Sequence, residues 1–269
     1  MSEVLKFPSN NESLIEQANT LSMEALALVT SRYGTGNPAE ALTPEIVDLP
    51  YHNMEHTISV RRNSLRMAEA LGLNKLDTAI VELAASAHDI VQKKERGVME
   101  QESAEWLEEK MRNVGFSEDD INAASLAVLG TEPLVSQDGM IMGQKVDLIQ
   151  FTSDRALEIA MCVACGDMAH LYQPNSALLS RDLYKEIKGV SSDAQPPMDG
   201  LLQFQKISLN LLRDYQFPHP MGERLFGSLR QESIEYQTWI TQQLSLGMIT
   251  SWDQLLQQDA AFNDTYRLN

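Results

Sequence analysis

The chain has five histidines, and three of them fall in two compact groups, His52 with His56 and His88 beside Asp89. His52 and His56 are four residues apart, so a helix that begins at or before His52 points both rings the same way. Between 75 and 92, Leu76, Ala79, Ile80, Leu83, Ala84, Ala87 and Val91 form an i, i+3, i+4 apolar stripe. His88 lies on that stripe, and Asp89 sits about 100° further round, at its edge. A second stripe runs through Leu157, Ala160, Ala164 and Leu171, and Asp167 lies on it with no basic residue at helical spacing to pair it. Burying an unpartnered carboxylate or imidazole is costly. Two inward acids and two inward histidines, His56, His88, Asp89 and Asp167, make a coherent set if a divalent cation lies among them. Mixed imidazole and carboxylate ligation suits Mn, Mg, Fe, Co, Ni or Zn and leaves positions for water and substrate. Asp147 and Asp154 stand as alternatives to Asp167.

Each piece alone is weak, because a core histidine satisfied by a backbone carbonyl is commoner than a ligand. The set is more specific than its parts. Cys162 and Cys165 form a CxxC without a second one and without a βαβ pattern, so packing by small residues near the metal explains them better than redox chemistry. His170 is a candidate support behind the ligands, and Pro218-His219-Pro220 reads as a turn.

The elements that must position these residues are helices joined by polar loops. Periodicity predicts helices over 12–33, 54–71, 75–92, 99–113, 117–129, 153–172 and 177–187, with two or three more in 200–258. Residues 130–150 and 189–199 read as loops, and strand signals are almost absent. The expected class is all-α.

Hydrophobic residues make up 43% of the 269, enough for a real core. No apolar run approaches the roughly 20 residues that span a bilayer, and the start lacks the order of a secretory signal. A cytoplasmic protein without membrane contact is expected. The formal charge of −17 argues against binding a nucleic-acid polymer. A small anion is still allowed, because a pocket carries its own local field. Residues 61–96 hold seven cations and five acids, a local net of +2.

The order His56, His88-Asp89, Asp167 resembles the signature of the HD-domain metal-dependent phosphohydrolase superfamily. Tyr51-His52-Asn53-Met54-Glu55-His56 is similar to the YHNxxH segment of cyclic-nucleotide phosphodiesterases and of a group of small bacterial HD hydrolases. Glu100-Gln101-Glu102-Ser103-Ala104 looks like the NExxSA segment of the latter, and Asp167-Met168-Ala169-His170-Leu171 like their final Asp-Leu element. Arg181-Asp182-Leu183-Tyr184 resembles their later Arg/acid/Tyr element. The similarity covers roughly residues 50–185. It departs at Met99, where the segment has Asn, and at Gln92, where some HD nucleotidases carry Glu.

The resemblance implies an HD-domain core over 46–188, with an N-terminal helical extension (1–45) and C-terminal helices (189–269). It implies one ion held by His56, His88, Asp89 and Asp167, with Asp89 able to reach a second, weaker ion, and hydrolysis of a small phosphorylated substrate by metal-activated water. His52, with an ordinary pKa of about 6.5, suits general-acid work on the leaving oxygen. Arg61, Arg62, Lys93 and Lys94 are candidates for phosphate contact, and Glu100 for the rim of the site. A homodimer is allowed for. One rival is an HD-type diiron oxygenase, which needs further histidines between the two acids, and residues 90–166 contain none. The other is a non-catalytic metal-binding module.

Overall fold

Helix starts follow from local chemistry. Asn53 precedes α2 (Met54–Leu71), and its side chain accepts from the backbone N–H of Glu55 and His56. Asn74 does the same for α3 (Lys75–Ala87), Ser117 for α5 (Glu118–Leu129) and Ser153 for α6 (Asp154–His170). The ring of His219 accepts from Met221 N–H at the head of α9 (Pro220–Ser245), with Pro220 at the first helical position. Pro218-His219-Pro220 is thus a cap as well as a turn. Gly72 ends α2 with φ 71°, a conformation open to glycine. The remaining helices are α1 (Asn10–Tyr33), α4 (Val98–Asn113), α7 (Ser176–Lys188), α8 (Leu201–Asp214) and α10 (Trp252–Arg267).

This computed structural model describes residues 10–35, 47–92, 97–135, 141–172 and 176–267. Over them the fold is all-α apart from one small hairpin. The hairpin corrects the loop expected over 130–150. Strands β1 (Pro133–Val135) and β2 (Ile141–Gln144) pair antiparallel, with Pro133 opposite Gln144. Three and four residues are too few to show a period of two. The hairpin base is fixed by Lys145 N–H to Glu132 O (2.8 Å) and Val146 N–H to Gly130 O (3.1 Å).

The larger apolar core joins Val60 and Met67 of α2, Ile80 and Leu83 of α3, Ile159 and Val163 of α6, and Leu212 and Phe226 of α8 and α9. A second cluster holds Tyr184, Leu201, Tyr236, Ile240, Trp252 and Leu255. Where α2 crosses α6, a Cβ on Gly166 would lie 2.1 Å from Ser64 Oγ and 2.7 Å from Ser64 N. The two helices approach this closely only because Gly166 has no side chain. Among the described residues no helix is long and apolar enough to cross a membrane.

Candidate metal centre

α2, α3 and α6 deliver the four residues singled out in the sequence. Helix α3 stops at Ala87, short of the 92 expected from its stripe, so His88 is its cap residue and Asp89 lies in the turn beyond. The stop comes from tertiary hydrogen bonds. Tyr33 of α1 donates its hydroxyl to Ile90 O (3.3 Å) and accepts from Gln92 N–H (2.8 Å). Arg32 Nη1 also donates to Ile90 O (2.6 Å), and Ser103 Oγ of α4 accepts from Val91 N–H (3.3 Å). With these groups satisfied from outside, continuing the helix gains little.

The donor atoms converge. His56 Nε2 and His88 Nε2 are 3.3 Å apart, and each lies 3.1 Å from Asp89 Oδ2. Asp167 Oδ1 lies 3.6 Å from the first ring and 3.9 Å from the second. Donors bonded to one ion at about 2.1 Å lie roughly 3.0–3.5 Å from one another, so the spacings among His56, His88 and Asp167 come close to those of a shared ion. His56, His88 and Asp167 form a group able to hold a metal. His88 Nδ1 sits 2.8 Å from Ala85 O, which places the proton on Nδ1 in the neutral ring and turns the Nε2 lone pair to the centre. The imidazoles are 2% exposed, whereas the side chains of Asp89 and Asp167 keep 16% and 21% open. The cluster therefore opens to solvent on its carboxylate side.

Electrostatics favour a cation here. Burial opposes charge on both rings and lowers the pKa of His56, but at His88 the charges of Asp89 and Asp167 outweigh burial and raise it to about 9. Burial also opposes charge on the acids; at Asp89 the histidines outweigh it and hold the carboxyl well below its usual range, while at Asp167 burial prevails and raises it. Among the described residues no lysine or arginine pairs with either carboxylate.

His52 precedes α2 rather than lying within it, yet its ring centroid is 5.4 Å from that of His56. Its Nδ1 is 2.5 Å from Glu186 Oε1, and the other oxygen of Glu186 accepts from Tyr51 N–H (3.1 Å) and His52 N–H (3.0 Å). Burial would lower the pKa of His52, but Glu186 outweighs it and raises it to about 9, so the ring is protonated at neutral pH. Glu186 lies on α7, outside any helical spacing with His52. No signal in the sequence points to it. His170 packs edge-on against His56 at 4.7 Å and near Tyr51 at 5.4 Å, which puts it behind the ligands.

Arg61 Nε donates to Glu82 Oε1 of α3 (2.9 Å), an ion pair that engages its guanidinium. Lys93 and Lys94 lie outside the described residues. Glu100 is buried in the first turn of α4, where burial and the nearby charges of Asp89 and Glu132 raise its pKa. Asp147 and Asp154 line a separate surface depression with Phe151 and Leu157. Cys162 and Cys165 are free and buried, and burial raises both thiols, that of Cys165 to about 12. Gln144 and Tyr215, absent from the sequence-based set, extend the site behind Asp167: Gln144 Nε2 donates to Asp167 Oδ2 (3.0 Å), and Tyr215 O–H donates to Gln144 Oε1 (2.8 Å).

No protein-family model matches the chain, and no curated protein matches it. Among solved structures it is similar to Bacillus subtilis YpgQ in complex with ADP, at 12% identity and a TM-score of 0.52, over 86% of this chain and 96% of that one. Selenomethionine-labelled YpgQ aligns at 12% identity with a TM-score of 0.49, over 86% and 95% of the two chains. At this identity the likeness to the ADP complex is one of fold.

Proposed function

We propose that the chain is an HD-type metal-dependent phosphohydrolase acting on a small phosphorylated substrate. The observation that carries this reading is the convergence of two imidazole nitrogens and two carboxylate oxygens, within 3.9 Å of one another across the pairs above, beside His52, whose ring Glu186 holds at Nδ1. A divalent ion bound there would supply Lewis acidity toward a phosphoryl oxygen and bring a water toward neutral pKa. His56, His88, Asp89 and Asp167 would hold it, with the exposed edge of the two acids facing the substrate. Glu186 fixes the His52 ring through Nδ1, so Nε2 is the atom that delivers a proton to the leaving oxygen. The fold likeness to a protein solved with ADP makes nucleotides the first substrates to try.

The test is metal content of the purified chain, followed by hydrolysis of an aryl phosphate, an aryl phosphodiester and nucleotides with Mn, Mg, Co or Ni. His88→Ala and Asp167→Ala serve as controls. Turnover that needs metal and disappears in both variants supports the reading. No bound metal and no turnover of mono- or diesters with any of the four ions rejects it.

A further inference from the structure

Asp167 presents its two oxygens to different neighbours. Oδ1 faces the two imidazoles, while Oδ2 accepts the hydrogen bond from Gln144 Nε2 (3.0 Å). A carboxylate only accepts, so the amide of Gln144 must turn its NH2 group to Asp167 and leave Oε1 on the other side. The hydroxyl of Tyr215 occupies that side and donates to Oε1 at 2.8 Å. Gln144 and Tyr215 are 2% and 3% exposed, so water cannot readily replace either bond.

Both residues are held by structure of their own. Gln144 ends β2, opposite Pro133, and the next two residues are tied down by Lys145 N–H to Glu132 O and Val146 N–H to Gly130 O. Tyr215 follows α8, and its carbonyl accepts from Arg230 Nη1 of α9 at 2.7 Å. The order of donors is thus fixed from the phenol of Tyr215 through the amide of Gln144 to the acid, while Arg230 anchors only the backbone of Tyr215.

We propose that Gln144 is a positioning residue that holds Asp167 with only Oδ1 free for the metal, and that Tyr215 positions Gln144. This rests on the metal centre described above. It gives the hairpin and the end of α8 a part in the site, although neither touches the imidazoles. Hydrogen-bonded partners of metal ligands change affinity by about 10- to 100-fold when removed.

The test uses the full chain, stripped by a chelator and titrated with Mn2+ by calorimetry, with the visible absorption of the Co2+-loaded protein as a second readout. Gln144→Leu is expected to weaken Mn2+ binding about 10- to 100-fold and to alter the Co2+ bands, because Asp167 is then free to rotate or to bind through both oxygens. Tyr215→Phe is expected to give a smaller loss in the same direction. If Gln144→Leu does not fold, Gln144→Asn replaces it; it keeps the amide but is one methylene too short to reach both partners. Wild-type affinity and an unchanged Co2+ spectrum in either folded Gln144 variant overturn the proposal. A wild-type chain that binds neither Mn2+ nor Co2+ overturns the metal reading itself, and the positioning role with it.

Discussion

Asp77 of α3, Asp120 of α5 and Arg155 of α6 form one charged cluster; at the other ends of α3 and α6, His88, Asp89 and Asp167 form another with His56 of α2. In the first, Arg155 Nε donates to Asp77 Oδ1 (2.7 Å) and its Nη2 to Asp120 Oδ1 (2.6 Å), so the chain satisfies its own acids with its own guanidinium. In the second, the two acids meet two imidazoles and the amide of Gln144 but no lysine or arginine among the described residues, and the charge of Asp89 outweighs burial to raise the pKa of His88 to about 9. The same pair of helices thus carries a closed ion cluster at one end and one short of positive charge at the other. The first cluster supplies its own cation, whereas the second leaves room for one from solution.

The largest expected effect tests the open end. Asp167→Ala and His88→Ala should each lower metal-dependent turnover by more than about a thousandfold, since charge stabilisation by a metal supplies several kcal/mol. Atomic absorption on the purified variants should show the metal lost in parallel. Retained metal together with retained turnover in both would place the chemistry elsewhere.

Next comes His52, proposed above as the proton donor. His52→Ala should reduce kcat by about 10²- to 10⁴-fold while metal content is kept. Glu186→Gln should cost less, and the double variant should be no slower than His52→Ala, because both residues act through one ring. Additive losses would separate Glu186 from His52.

Gly166→Ala probes how the open end is assembled. A methyl group 2.1 Å from Ser64 Oγ and 2.7 Å from Ser64 N must push α2 and α6 apart. Destabilisation of about 1–3 kcal/mol is expected, with weaker Mn2+ binding. Adding Ser64→Ala should not restore it, since the backbone nitrogen still obstructs. Full recovery in the double variant would show that only the hydroxyl matters.

The smallest effect is at the closed end. Arg155→Met leaves two nearly buried acids without their cation, but Arg155 itself is 34% exposed, so water takes up part of the loss. A cost of about 1–2 kcal/mol in thermal unfolding is expected, with Mn2+ affinity unchanged. A comparable loss of metal would mean that the two ends are coupled along α3 and α6.

Much of this was legible in the sequence. The helix expected over 54–71 matches Met54–Leu71, and those expected to start at 75, 117 and 153 begin at Lys75, Glu118 and Asp154. His88 and Asp167 stood out because each falls on an apolar stripe, and His56 through its spacing from His52 and the segment Tyr51–His56, and the fold brings the three together. What escaped has no local period. The hairpin strands are too short, and α3 is ended by Tyr33, Arg32 and Ser103 from other helices. Glu186, Gln144 and Tyr215 meet the site from distant segments, and hydrogen bonds between such segments leave no spacing to read.

Tyr33 carries a practical corollary. One phenol hydroxyl grips the carbonyl of Ile90 and the amide of Gln92, in the backbone that follows Asp89. A shortened version of the protein beginning after α1 would keep all four candidate ligands and still lose the clasp on the turn that holds Asp89. The smallest portable unit of this site is therefore set by its hydrogen bonds, and it includes the end of a helix that contributes no ligand.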